Sequence, residues 1–189
     1  FVSAILDGNH PKAAQAALTQ LRDRAIFQGD PRLDLLEAQI AGGLGDFRAQ
    51  VATAKRSMEL ARSRGLLFIQ ASALIEMGAG LRRLGDLNGS RTALEEAEGV
   101  YAALGDRGGK ARSILSLGSL AYAEAHYVKA EERFQEAHVE FKAIGNRKNE
   151  ASALNGLGNA LADQGRFAPA LAAYQESRAI REELGDRIG

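Results

Sequence analysis

One feature constrains this chain more than any other: a set of small and hydrophobic residues that recurs every 40 residues in a single register. A hydrophobic residue followed by glycine stands at Met77-Gly78, Leu117-Gly118 and Leu157-Gly158. A small residue follows seven positions on, at Gly85, Ala125 and Gly165, with Gly45 in the same column. Two residues later comes an aromatic or leucine: Phe47, Leu87, Tyr127, Phe167. A glycine closes each unit at Gly65, Gly105, Gly145 and Gly185. Columns with this period indicate stacked supersecondary units, each too small to bury its apolar face alone.

The periodicity within a unit is helical. In the last unit Ala151, Leu154, Leu157, Gly158 and Leu161 follow i, i+3, i+4 spacing, and so do Phe167, Ala170, Leu171, Tyr174 and Ala179 after the turn. The chain has only five valines, too few for a strand-forming block. Helices end at Leu84-Gly85-Asp86, Leu104-Gly105-Asp106 and Leu184-Gly185-Asp186. Glycine supplies the left-handed terminal residue, and the polar residue beside it can cap the next helix. Turns this short leave antiparallel helix pairs as the expected geometry.

The spacing predicts helices over Pro31 to about Leu44 and Phe47 to about Arg64. It then predicts the pairs Leu66–Leu84 with Leu87–Leu104, Arg107–Glu124 with Tyr127–Ile144, and Arg147–Gln164 with Phe167–Leu184. The expected organisation is a single array over 1–189, with a partial unit in 1–28 and complete units near 30–64, 66–104, 106–144 and 146–184. The first residues, Phe1 to Leu6, read as the tail of a helix, Asp7 to Pro11 as a turn, and Lys12 to about Ile26 as a helix. Residues 185–189 repeat the motif that opens a unit. With no Met at its start, the chain is expected to be a piece of a longer protein.

Composition excludes several classes. Basic and acidic residues number 24 each, so no net field draws the chain to nucleic acid or an anionic membrane. There is no cysteine, hence no disulfide or thiolate chemistry. No apolar run reaches membrane-spanning length. The three histidines, His10, His126 and His138, show no paired carboxylate pattern at ligand spacing. No Ser-His-Asp order or HExxH pattern occurs, so no catalytic residue, metal or cofactor is expected. Gly43-x-Gly45, Gly78-x-Gly80 and Gly156-x-Gly158 follow no strand, which removes the dinucleotide-loop reading. Asn88-Gly89-Ser90 has the form of a glycosylation sequon but reads as turn chemistry. The charged runs Glu95-Glu96, Glu131-Glu132-Arg133 and Arg181-Glu182-Glu183 read as solvated outer faces.

Taken together, Ala71, Leu74, Met77-Gly78, Leu81, Gly85, Leu87, Ser90, Leu94 and Ala97, with Ile114 to Ala137 and Leu154 to Ser177 in the same register, resemble the tetratricopeptide repeat family in its extended bacterial form. The resemblance implies an all-α fold, a right-handed α-solenoid of antiparallel helix pairs. Gln50 and Ser90 stand where that family usually has alanine, Ser177 replaces the last alanine, and Ala38 replaces the glycine of the first unit. The glycines of the main column are expected to admit a closely packed partner helix, Gly118 near Ala130, with Leu94, Phe134 and Tyr174 filling the space between units.

The resemblance also implies a peptide-binding groove on the first helix of each pair. Its candidate residues are Arg32 and Gln39, then Ser72, Ile75, Arg82 and Arg83, then Arg112, Leu115, Ser119 and Tyr122, then Asn155, Asn159 and Asp163. Amides can bond an extended backbone, and arginines can pair with carboxylates. The expected function is a non-catalytic protein–protein interaction module in a larger bacterial signalling or regulatory protein. Its partner would be a protein or peptide, which could be a segment of the same full-length chain. Nucleic acid and membrane contact are not expected; self-association is open. The competing readings are a structural scaffold or self-association module, and a small-effector sensor. A cytoplasmic location is expected, with the periplasm not excluded.

Overall fold

The computed structural model describes residues 11–22 and 29–185. The expectations placed on Phe1 to His10, on the end of the first helix near Ile26, and on Asp186 to Gly189 lie outside the described residues. Those residues form helices and turns, and they group into two compact units, 1–104 and 105–189.

The first unit holds α1 (Pro11–Arg22), α2 (Pro31–Leu44), α3 (Phe47–Ser63), α4 (Leu67–Arg83) and α5 (Leu87–Leu104). The second holds α6 (Arg107–Ala123), α7 (Tyr127–Ala143), α8 (Arg147–Asp163) and α9 (Phe167–Glu183). Every one of α2 to α9 begins and ends within one residue of the sequence expectation. Within each unit a helix packs on its successor. The first helices of neighbouring pairs also meet, α2 on α4 and α6 on α8. That pattern is a helical repeat, in which each pair is covered by the next.

The turns explain why the boundaries were legible. Gly45, Gly65, Gly85, Gly105, Gly145, Gly165 and Gly185 all have positive φ, between 67° and 87°. Ala125, at φ 57°, is the one non-glycine residue in this conformation among those described. The next helix is then capped by a side chain at several starts. Asp46 accepts from Ala49 N–H at 3.0 Å, Asp86 from Gly89 at 2.8 Å and Asp106 from Gly109 at 2.9 Å. Asn146 does the same for Asn149 at 3.2 Å. The Asn88-Gly89-Ser90 sequence therefore lies in the first turn of α5, inside the helix expected over Leu87–Leu104, and its turn chemistry is helical.

The glycine column admits the partner helix, as expected, and with it a large side chain of that helix. A Cβ on Gly78 would stand 2.7 Å from Leu94 Cγ, one on Gly118 2.9 Å from Phe134 Cδ1, and one on Gly158 2.5 Å from Tyr174 Cε1. The glycine makes room for a large side chain of its partner helix, and for Gly118 the nearest is Phe134. The Phe134 ring is held twice, because a Cβ on Gly156 of α8 would also stand 2.6 Å from its Cε1. In the first complete pair the two columns carry Ala38 and Ala54, both fully buried. Where the large residue is missing, so is the glycine.

The departing serines Ser90 and Ser177, and Ser57 in the column of Ser177, are all buried and bonded. Ser90 Oγ donates to the Gly78 carbonyl at 2.8 Å. Ser57 donates to Pro31 O and Ser177 to Ala151 O, each at 2.7 Å and each in the same pair of columns. On α9 the sequence face is corrected: Ala170, Ala173, Ser177 and Ile180 are buried, whereas Phe167 and Leu171 are 70% and 57% exposed. Period alone could not separate these two adjoining stripes of one helix.

Candidate interaction surfaces

In the first unit, α2, α3 and α4 enclose a cleft of about 280 Å³ lined by Gln39, Gly42, Gly43, Phe47, Gln50, Glu76, Ala79, Arg82 and Arg83. It brings together three of the sequence candidates, Gln39, Arg82 and Arg83. Its floor is made by Gln50, which is 5% exposed and donates from Nε2 to Glu76 Oε2 at 3.0 Å. The amide lies over two glycines; a Cβ on Gly42 would stand 2.7 Å from Gln50 Nε2 and one on Gly80 3.3 Å from Oε1. The Gln50 departure from alanine is thus matched by small residues on both neighbouring helices. Arg83 sets its guanidinium carbon 5.7 Å from the centre of the Phe47 ring, a cation–π contact. Beside it Arg82 is half-buried, and burial, then the charge of Arg83, hold its pKa below the usual arginine range.

The remaining candidates of this unit lie elsewhere. Arg32 is exposed at the start of α2 and tied to the capping residue Asp30 by two hydrogen bonds from Nε and one from Nη2. That bond is the main cause of the depressed Asp30 pKa. Ser72 and Ile75 are buried, and the Ser72 hydroxyl is paired with Tyr101 at 2.6 Å. A peptide reaches neither of these two side chains without local opening.

In the second unit Tyr122 donates its phenol to Asp163 on α8. That hydrogen bond, with burial and the carboxylate's charge, pushes the Tyr122 pKa up to about 12. Asn159 accepts from the Tyr174 hydroxyl at 2.7 Å, while Asn155 one turn earlier is exposed. Ser119 donates to its own helix at Leu115 O, at 3.1 Å. Leu115 is half-buried against the core of Ala111, Ile114, Ala137, Phe141 and Ala153. Arg112 is half-buried on α6.

Sequence reasoning missed Phe47, Gln50 and Glu76 in the cleft, although Gln50 was visible as an oversized residue in an alanine column. It also gave the charged runs too little structure. Glu96 pairs with Arg62 and Gln70, Glu131 with Arg166 and Gln164, and Glu183 with Arg147. These carboxylates join neighbouring helices. At Glu131, burial raises the pKa, but the bonds from Gln164 and Arg166 outweigh it and hold the carboxyl below the usual range.

Residues 127–183 match the family described as tetratricopeptide repeat. These residues, α7 to α9, are where the family's sequence pattern is matched. Solved structures extend the fold to the rest of the described residues. BtubC (BKLC) from P. vanneervenii is similar with a TM-score of 0.71 at 15% identity, over 100% of this chain and 80% of that one. A Rap protein complexed with Competence and Sporulation Factor gives 0.81 at 17% identity over 94% of this chain, which spans 49% of the Rap chain. MamA gives 0.60 at 13% identity, over 98% and 97% of the two chains. No curated protein sequence matches the chain. The tetratricopeptide repeat is generally a non-catalytic protein-interaction fold. No helix among the described residues is long and apolar enough to cross a membrane.

Proposed function

We propose that these tetratricopeptide repeats form a non-catalytic interaction module that binds a peptide or a neighbouring domain along the first helices of its pairs. The module would belong to a larger regulatory or signalling protein of the cytoplasm. The observation that supports this reading is the pair Arg82 and Arg83 in the cleft of α2, α3 and α4. Arg82 is half-buried, and only burial and a like charge shift its pKa. A half-buried guanidinium next to a second one favours an anionic occupant. The cleft also offers Gln39 for backbone recognition and preformed walls, so little binding energy is spent on ordering the receptor. The likeness to the Rap protein complexed with Competence and Sporulation Factor supports the same reading by analogy of fold.

The test is calorimetric titration with peptides tiling the segments that flank this chain in its full-length protein, preceded by an array screen of the same peptides. An acidic peptide should bind, and binding should weaken with salt. Arg82→Ser with Arg83→Ser should reduce affinity by tenfold or more, a loss of about 1.4 kcal/mol, with helicity unchanged. Asn155→Ala with Asn159→Ala should cost about 1 kcal/mol per lost bond if the peptide also engages the second unit. Binding that survives both pairs of substitutions would overturn the groove reading and favour a scaffold.

A further inference from the structure

His138 of α7, Glu150 of α8 and Glu176 of α9 place one possible ligand atom each within 4.8 Å of one another. Two of the three are out of solvent: Glu150 is 0% and His138 8% exposed. His138 Nδ1 and Glu150 Oε1 face each other at 3.9 Å, too far for a hydrogen bond, and neither atom has a hydrogen-bond partner among the described residues. Buried polar atoms are rarely left in that state. The carboxylate of Glu150 is fixed from its other side, where Arg147 Nη1 donates to Oε2 at 2.8 Å. Oε1 is therefore held toward the histidine.

The repeat itself supplies an internal control. Eighty residues earlier, the same three columns carry Met58, Gln70 and Glu96. There the amide of Gln70, at 3.1 Å, and the guanidinium of Arg62 both donate to Glu96 Oε1. In the intervening copy the Gln70 column carries Lys110. The last copy replaces amide and ammonium by a second carboxylate, Glu150, and replaces the thioether of Met58 by an imidazole. Two carboxylates brought together repel unless something positive lies between them.

We propose that His138, Glu150 and Glu176 bind a divalent first-row transition cation, zinc being the best fit. Zinc takes imidazole nitrogen and carboxylate oxygen at about 2 Å, so donors on opposite sides of it stand at most about 4 Å apart. The observed separation of Nδ1 and Oε1 lies within that reach. Glu176 is exposed and pairs only loosely with Lys142, at 3.9 Å, so its side chain is free to swing in as the third ligand. A nitrogen donor with two carboxylates selects against magnesium and calcium, which prefer all-oxygen shells. Arg147 then acts as the outer partner that orients Glu150. Because the three donors come from three consecutive helices, the ion would tie α7, α8 and α9 together.

Chelator-treated, dialysed protein is titrated with zinc chloride, and separately with magnesium chloride, by calorimetry and thermal denaturation. One equivalent of zinc should bind at micromolar concentration and raise the melting temperature, as any ligand of the native state does, while magnesium should do neither. Glu176→Gln alters an exposed side chain and should abolish both zinc effects without harming the fold. His138→Met combined with Glu150→Gln copies the Met58 and Gln70 arrangement; it should keep full helicity, melt no lower than the zinc-free parent, and bind no zinc. The proposal is overturned by absence of zinc binding to the parent at millimolar metal, or by equal binding in Glu176→Gln and the double variant.

Discussion

At the residue scale, small and large side chains are matched across pairs of positions: glycine stands opposite a large residue, alanine with alanine. Gly158 and Tyr174 form one such pair, Ala38 and Ala54 another. Gly158→Ala should therefore cost about 1–3 kcal/mol, as overpacking does, because Cβ would meet the ring that Asn159 holds by its hydroxyl. Adding Tyr174→Ala should recover part of the loss, so a double-mutant cycle by chemical denaturation should give a coupling of about 0.5–3 kcal/mol. Additive losses would contradict the pairing. Gly89→Ala is different. A Cβ there would crowd Asp86 Oδ2, but Asp46 caps Ala49 in the equivalent turn with a normal bond. It should be neutral or stabilising by up to about 1 kcal/mol. Ala125 bears the opposite strain, a left-handed backbone with a Cβ, and Ala125→Gly should raise stability by about 1 kcal/mol; a lower melting temperature would contradict the turn geometry.

At the element scale, the Tyr122–Asp163 bond joins α6 to α8 and makes a pH prediction. The folded phenol keeps its proton from the ordinary 10.0 up to about 12. The folded state thus holds the proton more tightly than the unfolded chain. Its contribution to stability is fully present below pH 10 and is lost as pH rises through about 12. The denaturation midpoint of the parent should fall over that window more steeply than that of Tyr122→Phe; parallel curves would show that the bond does not form. The helices themselves were legible in the sequence because glycine and a capping residue punctuate each one. The candidate site was legible only in part. The positions of Arg82, Arg83 and Gln39 follow from helical phase, which the repeat register fixes. Burial of Ser72 and Ile75, and the pairing of Tyr122 with Asp163, depend on which neighbouring side chains are long enough to reach them. Such reach is set by rotamers across helices and leaves no mark on periodicity. The Glu150 cluster was missed for a related reason: its ligands are 12 and 26 residues apart in sequence, outside any local metal motif. Comparing column with column, Gln70 against Glu150 and Met58 against His138, would have exposed it.

At the scale of the whole molecule, each unit is held by contacts between neighbours in sequence. Opening should be graded along such a structure. Among the described helices α1 packs chiefly on α2, whereas α2 also touches α3 and α4. Amide exchange should therefore be fastest in α1 and slower in α2 and α4; equal protection across these helices would argue for an all-or-none unit. Phe134, seated between a glycine of its own pair and one of the next, has a further consequence for how such a gene can change. A recombination that cuts between Gly145 and Asn146 and splices in a foreign helix pair removes Gly156, and with it half of the seat for a ring it leaves behind. The heritable cassette is therefore out of phase with the visible repeat. Crossovers within α8, after residue 156, would keep Phe134 and both of its glycines on one piece of DNA, and chimaeras joined there should fold where those joined at the turn fail.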